Sequence, residues 1–232
     1  MKITYLGQAG LMFETHGKII LIDPYLSDSV AKIEPQNYRR QPINERFLKV
    51  KPDVIVITHN HADHLDKETL VNYLTEESKV LSLAPLSAWK ELRKFGGANN
   101  NYVMFNDGTT WAEDGIVFRA VKAEHSDEFS IGVIITAENK NYYITGDTLY
   151  NEKVFKSLPD IKFEAVFLPV NGKGNNMNIA DALRFSERIK VKYIIPVHFG
   201  MFDDISMDSV CRGNILKPSI YSEVDLNNNC VK

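Results

Sequence analysis

The strongest constraint on the fold is the run Asp53-Val54-Ile55-Val56-Ile57, continuously apolar after its first residue, that gives way without a break to Thr58-His59-Asn60-His61-Ala62-Asp63-His64-Leu65. The run does not alternate with polar residues, so it predicts a strand covered on both faces, as in the interior of an α/β protein. The residues after it make poor core, with three histidines and a carboxylate close together. They stand just past a strand's carboxyl end, where α/β folds place ligands. His59 and His61 are two residues apart and in extended backbone project to one side. The adjacent Asp63 and His64 point differently, toward a second centre. Imidazole nitrogens and carboxylate oxygens are ligands that suit borderline divalent metals such as zinc. The competing view, a solvated loop with Asp63 or Asp66 capping a helix, leaves the density of histidines unexplained.

Short β-rich runs open the chain at Lys2–Leu6, Leu11–Thr15 and Lys18–Ile22, with His16 in a hairpin turn. A polar stretch from Ser27 to Glu45 reads as a long loop, and such loops tend to be functional. Helix is expected over Lys67–Tyr73, Leu86–Lys94 and Ile179–Ile189, the last with Ile179, Ala182, Leu183, Ser186 and Ile189 on one face. Further strands are expected at Lys79–Leu83, Gly115–Ala123, Ile131–Ala137, Asn141–Thr145, Ala165–Val170 and Lys192–Val197. Strands and helices thus fall into two successive groups, each a β-meander followed by β/α units. That order predicts a single α/β domain over residues 1–232, a four-layer αββα sandwich of two mixed sheets with helices outside.

The other histidines extend the pattern. His125 and His198 each follow a strand-like run, as does Asp147 after Ile144-Thr145-Gly146, and among the six histidines only His16 lacks such a position. The His-x-His-x-Asp-His run, a later histidine, a Gly-Asp after a strand and a final histidine resemble the metallo-β-lactamase superfamily in order and spacing, with Asp23 of Leu21-Ile22-Asp23-Pro24 matching its first motif. The resemblance implies one metal ion on His59, His61 and His125, and a second on Asp63, His64 and His198, bridged by Asp147. Asp23 would then hold a ligand histidine in its tautomer. Asp63-His64-Leu65-Asp66, His125-Ser126-Asp127, Pro169-Val170-Asn171-Gly172 and Pro196 to Phe202 are similar to the L-ascorbate-6-phosphate lactonase branch.

That resemblance implies a hydrolase with two divalent ions, zinc or manganese, that turn a shared water into hydroxide for attack on a small ester or lactone. Asp63 would relay a proton to the leaving group. Arg39, Arg40 and Lys173 are candidates to clamp an anionic group on the substrate, and Asn171 to bond a hydroxyl or carbonyl. No Gly-x-Ser-x-Gly elbow or P-loop offers another chemistry. The superfamily also contains phosphodiesterases and tRNA-processing nucleases, but a net charge of −3 gives no bulk attraction to nucleic acid or anionic membrane. A non-catalytic sensor would be marked by missing ligands, and the set is complete. Without a secretion-type leader or spanning segment, the chain is expected in the cytoplasm, with Cys211 and Cys230 as free thiols.

Overall fold

The computed structural model describes residues 1–208, 210 and 214–226; Cys211 and Cys230 fall outside them. In the first half, β1 (Lys2–Gly7), β2 (Gly10–Thr15) and β3 (Lys18–Ile22) form an antiparallel meander. To it β4 (Val54–Val56), β5 (Leu81–Ala84) and β6 (Asn101–Met104) are added in parallel, giving one six-stranded sheet in chain order. The second half repeats the plan. β7 (Thr110–Glu113), β8 (Ile116–Lys122), β9 (Ile131–Ala137) and β10 (Lys140–Ile144) run antiparallel, and β11 (Phe163–Pro169) and β12 (Val191–Val197) extend the sheet in parallel. The architecture is the expected sandwich of two mixed sheets with helices outside.

The unbroken apolar runs follow from this layering. Val54 and Val56 of β4 pack between the sheets with Phe13, Phe118 and Phe167, while Ile55 and Ile57 turn outward under Leu70, Leu74, Ala88 and Leu92. In β11, Ala165 and Phe167 face inward while Val166 and Leu168 meet Val154, Ala182 and Phe185. Both faces are therefore covered, and alternation in the sequence disappears. Phe13 meets Phe167 and Tyr142 edge-on at centroid distances of 5.8 and 6.1 Å, tying the two sheets together.

Outside the sheets lie α1 (Ser29–Ile33), α2 (Lys67–Leu70), α3 (Leu86–Phe95), α4 (Glu152–Ser157) and α5 (Ile179–Arg188). Several local expectations are corrected. The 27–45 stretch contains α1, a single turn too short to show a period. The helix expected to reach Tyr73 ends as α2 at Leu70, where the Asn72 amide bonds the carbonyls of Glu68 and Thr69 and competes with the helical ladder. The edge strands β6 and β7 and the helix α4 carry too little apolar pattern to be read from sequence. Among the described residues no helix is long and apolar enough to cross a membrane.

Strand direction decides where the chemistry collects. β1, β3, β4, β8, β10, β11 and β12 all end at one edge of the sandwich, because each antiparallel step inverts direction and each parallel step keeps it. Gln8, Asp23, His59, His125, Asp147, Asn171 and His198 follow those ends within three residues. β2 runs the other way, so His16 sits at the opposite edge.

Candidate metal centre

Beyond β4 the chain bends immediately instead of continuing extended. Amides of His64 and Leu65 both bond the His61 carbonyl, at 3.0 and 2.8 Å, and this turn folds Asp63 and His64 back beside His59. The turn is pinned from two sides. The Thr58 carbonyl accepts from the Ile131 amide of the second sheet at 3.0 Å, and the buried Asp127 carboxylate accepts from the Asn60 amide at 3.1 Å and the Ser87 hydroxyl at 2.5 Å. Asp66 caps α2 by accepting from the Glu68 amide, so the segment both starts a helix and gathers the histidines. Gly146 allows the close approach here: its φ is +61°, and a Cβ there would lie 2.6 Å from the Ile131 carbonyl oxygen of its own sheet and 3.0 Å from Thr58 Cβ, which follows β4 of the other sheet.

Three overlapping groups of potential ligand atoms result: His59, His61 and His125; His59, His64 and Asp147; Asp63, His64 and His198. Within each, every atom lies within 4.8 Å of the others. Asp147 stands between the outer groups, with Oδ1 3.4 Å from His64 Nε2 and Oδ2 3.2 Å from His198 Nε2 and 3.9 Å from His125 Nε2. Asp63 Oδ2 lies 3.1 Å from His198 Nε2 and 3.6 Å from His64 Nε2. His61 Nδ1 is 3.2 Å from His125 Nε2.

Whether these residues suit a cation is answered by their own unfilled valence. Asp23, His59 and His64 are 0% exposed. Asp23 Oδ2 accepts from His64 Nδ1 at 2.8 Å and from the Thr58 hydroxyl at 2.6 Å, while Oδ1 takes the Thr58 amide at 2.8 Å. His64 Nδ1 therefore carries a proton, and Nε2 is the atom whose lone pair a cation would take in place of a second proton. That atom and His59 Nε2 are buried without any hydrogen-bond partner. Buried polar atoms left bare are rare in folded proteins, and a lone pair facing carboxylates is completed by a cation.

The electrostatics agree. Burial holds His59 well below the ordinary histidine range, and burial likewise lowers His125. Burial opposes the charged form of His64 as well, yet Asp147, Asp63 and Asp23 outweigh it and raise that pKa. His198 is pushed up to about 10, again against burial, by Asp147 and Asp63. The two carboxylates are depressed in turn: burial raises them, but the His64 and His198 charges lower both well below the usual range. Excess negative charge is thus balanced by protons in the positions that a cation would take.

Sequence reasoning missed several contributors. Gln8, 2% exposed and in a left-handed turn at φ 53°, places its amide nitrogen 2.8 Å from Asp63 Oδ2 and 3.0 Å from His198 Nε2. Its glycine-bracketed turn reads like any hairpin. Asp23 and His198 also take positive φ, 42° and 59°, a strained geometry that re-aims a side chain at a strand end. The Asn176 amide donates to Asp147 Oδ2 at 2.8 Å, and the asparagine-rich loop after β11 was the available signal.

A cavity of about 600 Å³ opens above the cluster, walled by Val30, Ile33 and Phe202 on one side and by Asn171, Lys173 and Asn175 on the other. Arg39 and Arg40 do not line it, which corrects the expected arginine clamp. The Arg39 guanidinium bonds the carbonyls of Gln41 and Tyr25, each at 2.8 Å, and the Tyr221 hydroxyl at 2.6 Å, so it satisfies the loop that carries it. Arg40 is paired with Asp204. Lys173 faces the cavity, and Asn171 both lines it and touches His198.

Residues 18–199 match the model of the β-lactamase superfamily domain. The chain is 32% identical over 220 residues to a UPF0173 metal-dependent hydrolase of Flavobacterium johnsoniae, covering 90% of this chain and 88% of that protein. Among solved structures, the isothiocyanate hydrolase from Delia radicum gut bacteria superposes with a TM-score of 0.71 at 20% identity, covering 96% of this chain and 98% of the other. The metallo-β-lactamase fold protein YhfI from Bacillus subtilis gives a TM-score of 0.71 at 14% identity over the same shares, a likeness of fold.

Proposed function

The chain belongs to the UPF0173 metal-dependent hydrolases of the metallo-β-lactamase superfamily, and on that premise we propose that it binds two divalent cations, zinc or manganese, and opens a small anionic ester or lactone. One observation carries this: Asp147 clusters with His59 and His64, which belong to the two other ligand groups, and the Nε2 atoms of these two histidines are buried without a hydrogen-bond partner. The chemistry such cations supply is a water ionised at about neutral pH and Lewis-acid polarisation of the electrophile.

The chain's own residues supply the rest. His59, His61 and His125 would hold one cation, and Asp63, His64 and His198 the other. Asp23 keeps the His64 lone pair turned inward. Asp63 lines the cavity and is ionised at neutral pH, because His64 and His198 outweigh the effect of burial. A carboxylate of such low pKa is a weak base, so a proton that reaches it passes on to the departing oxygen. The cavity volume of about 600 Å³ fits a small molecule. Lys173 is the ammonium at its wall, with no carboxylate partner among the described residues, and it favours an anionic substituent. The net charge of −3 supports a small-molecule substrate over nucleic acid.

The test is turnover by the metal-loaded protein of a panel of lactones, phosphorylated lactones, phosphodiesters and thioesters. Hydrolysis of an anionic lactone or ester is expected, with Lys173→Ala raising KM and sparing kcat. Turnover confined to phosphodiesters would replace the reading with a nuclease-like one. Metal binding with no turnover at all would make the protein a sensor.

A further inference from the structure

The loop Asn171–Asn178, which joins β11 to α5, touches three of the ligand side chains at once. Its sequence, Asn-Gly-Lys-Gly-Asn-Asn-Met-Asn, holds four asparagines in eight residues. Asn171 Nδ2 lies 3.0 Å from His198 Nδ1, the Asn175 carbonyl lies 3.2 Å from His125 Nδ1, and the Asn176 amide donates to Asp147 Oδ2 at 2.8 Å. The loop is sewn down along its length. Asn171 and Asn178 form a bridge, the Gly172 amide bonds the Met177 carbonyl at 3.0 Å, and the Met177 amide bonds the Thr148 carbonyl at 2.9 Å. Met177 is fully buried, and Asn178 caps α5 by accepting from the Asp181 amide at 2.9 Å. A segment tied at both ends and in the middle holds a fixed geometry.

The contacts to His125 and His198 fall on ring nitrogens away from the centre, and that to Asp147 falls on Oδ2, the oxygen that also faces His198 and His125. A carbonyl can only accept, so Asn175 selects the His125 tautomer with the proton on Nδ1 and the lone pair on Nε2, the atom near His61 and Asp147. At His198, Nε2 faces Asp63 and Asp147, so a cation held there requires the proton on Nδ1. Asn171 Oδ1 is buried without a partner, and a half-turn of the amide brings it onto that proton. Asn176 fixes one oxygen of the carboxylate that lies between the two ligand groups.

We infer that the Asn171–Asn178 loop is a positioning element of the metal centre: Asn171 and the Asn175 carbonyl set the tautomers of His198 and His125, and Asn176 orients Asp147. The inference rests on the reading of the cluster as a metal site. It gives Asn171 a role behind a ligand in place of a contact to substrate.

Zinc affinity of the metal-free protein, measured by competition with a chromophoric chelator, tests it. Asn171→Leu and Asn176→Leu should each weaken zinc by about 10–100-fold while leaving the Tm of the metal-free form nearly unchanged. In the zinc-loaded protein, the solvent-protected Nδ1–H proton resonance of His198 should vanish in Asn171→Leu and persist in Asn176→Leu. Asn171→Asp, close in shape and still an acceptor, should keep the resonance and the affinity, and it serves as the test if the leucine variant does not fold. Wild-type affinity in both leucine variants, or loss of the resonance in Asn171→Asp, would overturn the inference. Failure of the wild-type protein to bind zinc or manganese would instead overturn the metal reading itself.

Discussion

Asp23→Asn separates a metal-orienting carboxylate from a merely structural one. The native carboxylate accepts three hydrogen bonds, from the Thr58 amide, the Thr58 hydroxyl and His64 Nδ1, at 2.8, 2.6 and 2.8 Å. An asparagine of the same shape keeps the first bond through its carbonyl and offers its NH2 to the other two partners. The Thr58 hydroxyl adapts by rotating, since it can also accept. His64 adapts only by losing its Nδ1 proton, which moves to Nε2, the atom that faces Asp147 and Asp63. A ligand lone pair is thereby removed, and metal affinity should fall by about 10–100-fold, or roughly 1.4–2.8 kcal/mol. Asp23→Ala behaves differently. It strands the Thr58 amide and His64 Nδ1 in a fully buried site, at about 1–3 kcal/mol each. The sum, about 2–6 kcal/mol, corresponds to roughly 4–24 °C of Tm in a domain of this size. Chelator competition and thermal melts of the metal-free variants give both quantities. Wild-type zinc and manganese affinity in Asp23→Asn would refute the tautomer argument.

The histidines provide a second contrast. His16→Ala should leave metal content and activity intact because His16 lies at the far edge of the sandwich, whereas His125→Ala should abolish loading at its position; metal analysis showing equal loss in both would break the constellation as drawn. A third prediction concerns protons. His64 is raised, and His198 is pushed up to about 10, in each case by carboxylates that outweigh burial, so in the metal-free protein at pH 7 both rings are protonated. Binding must expel those protons, and apparent affinity should therefore climb as pH rises from 7 toward 10. Calorimetry in buffers of different ionisation enthalpy reads the release directly, and a binding enthalpy independent of buffer would contradict it.

The sequence was most legible where one physical cause acted alone. A strand buried on both faces writes an unbroken apolar run, so Val54–Val56 and Phe163–Pro169 were found. Histidines have no reason to crowd after such a run except chemistry, and His59, His61, His64, His125 and His198 do meet in space. Legibility failed where an outcome depended on partners distant in the chain. Arg39 looked like a ligand for a substrate anion, but the carbonyls of Tyr25 and Gln41 and the Tyr221 hydroxyl take up its donors. Gln8 reaches Asp63 across 55 positions of sequence through a strained turn that composition does not announce. Asn176 was hidden because asparagine in a loop is ordinary until its neighbour is known to be Asp147. The short edge strands Asn101–Met104 and Thr110–Glu113 take their shape from the sheets they join and not from their own residues.

Metal stoichiometry tests the central claim most directly. Protein stripped by chelation, reconstituted separately with zinc and with manganese and freed of excess ion should retain close to two ions per chain by elemental analysis, one for each ligand group on either side of Asp147. Replacing Asp147 by alanine should lower occupancy at both positions together, because its two carboxylate oxygens reach into both groups. Reconstitution that repeatedly stopped at one ion or none with either metal would contradict the paired centre.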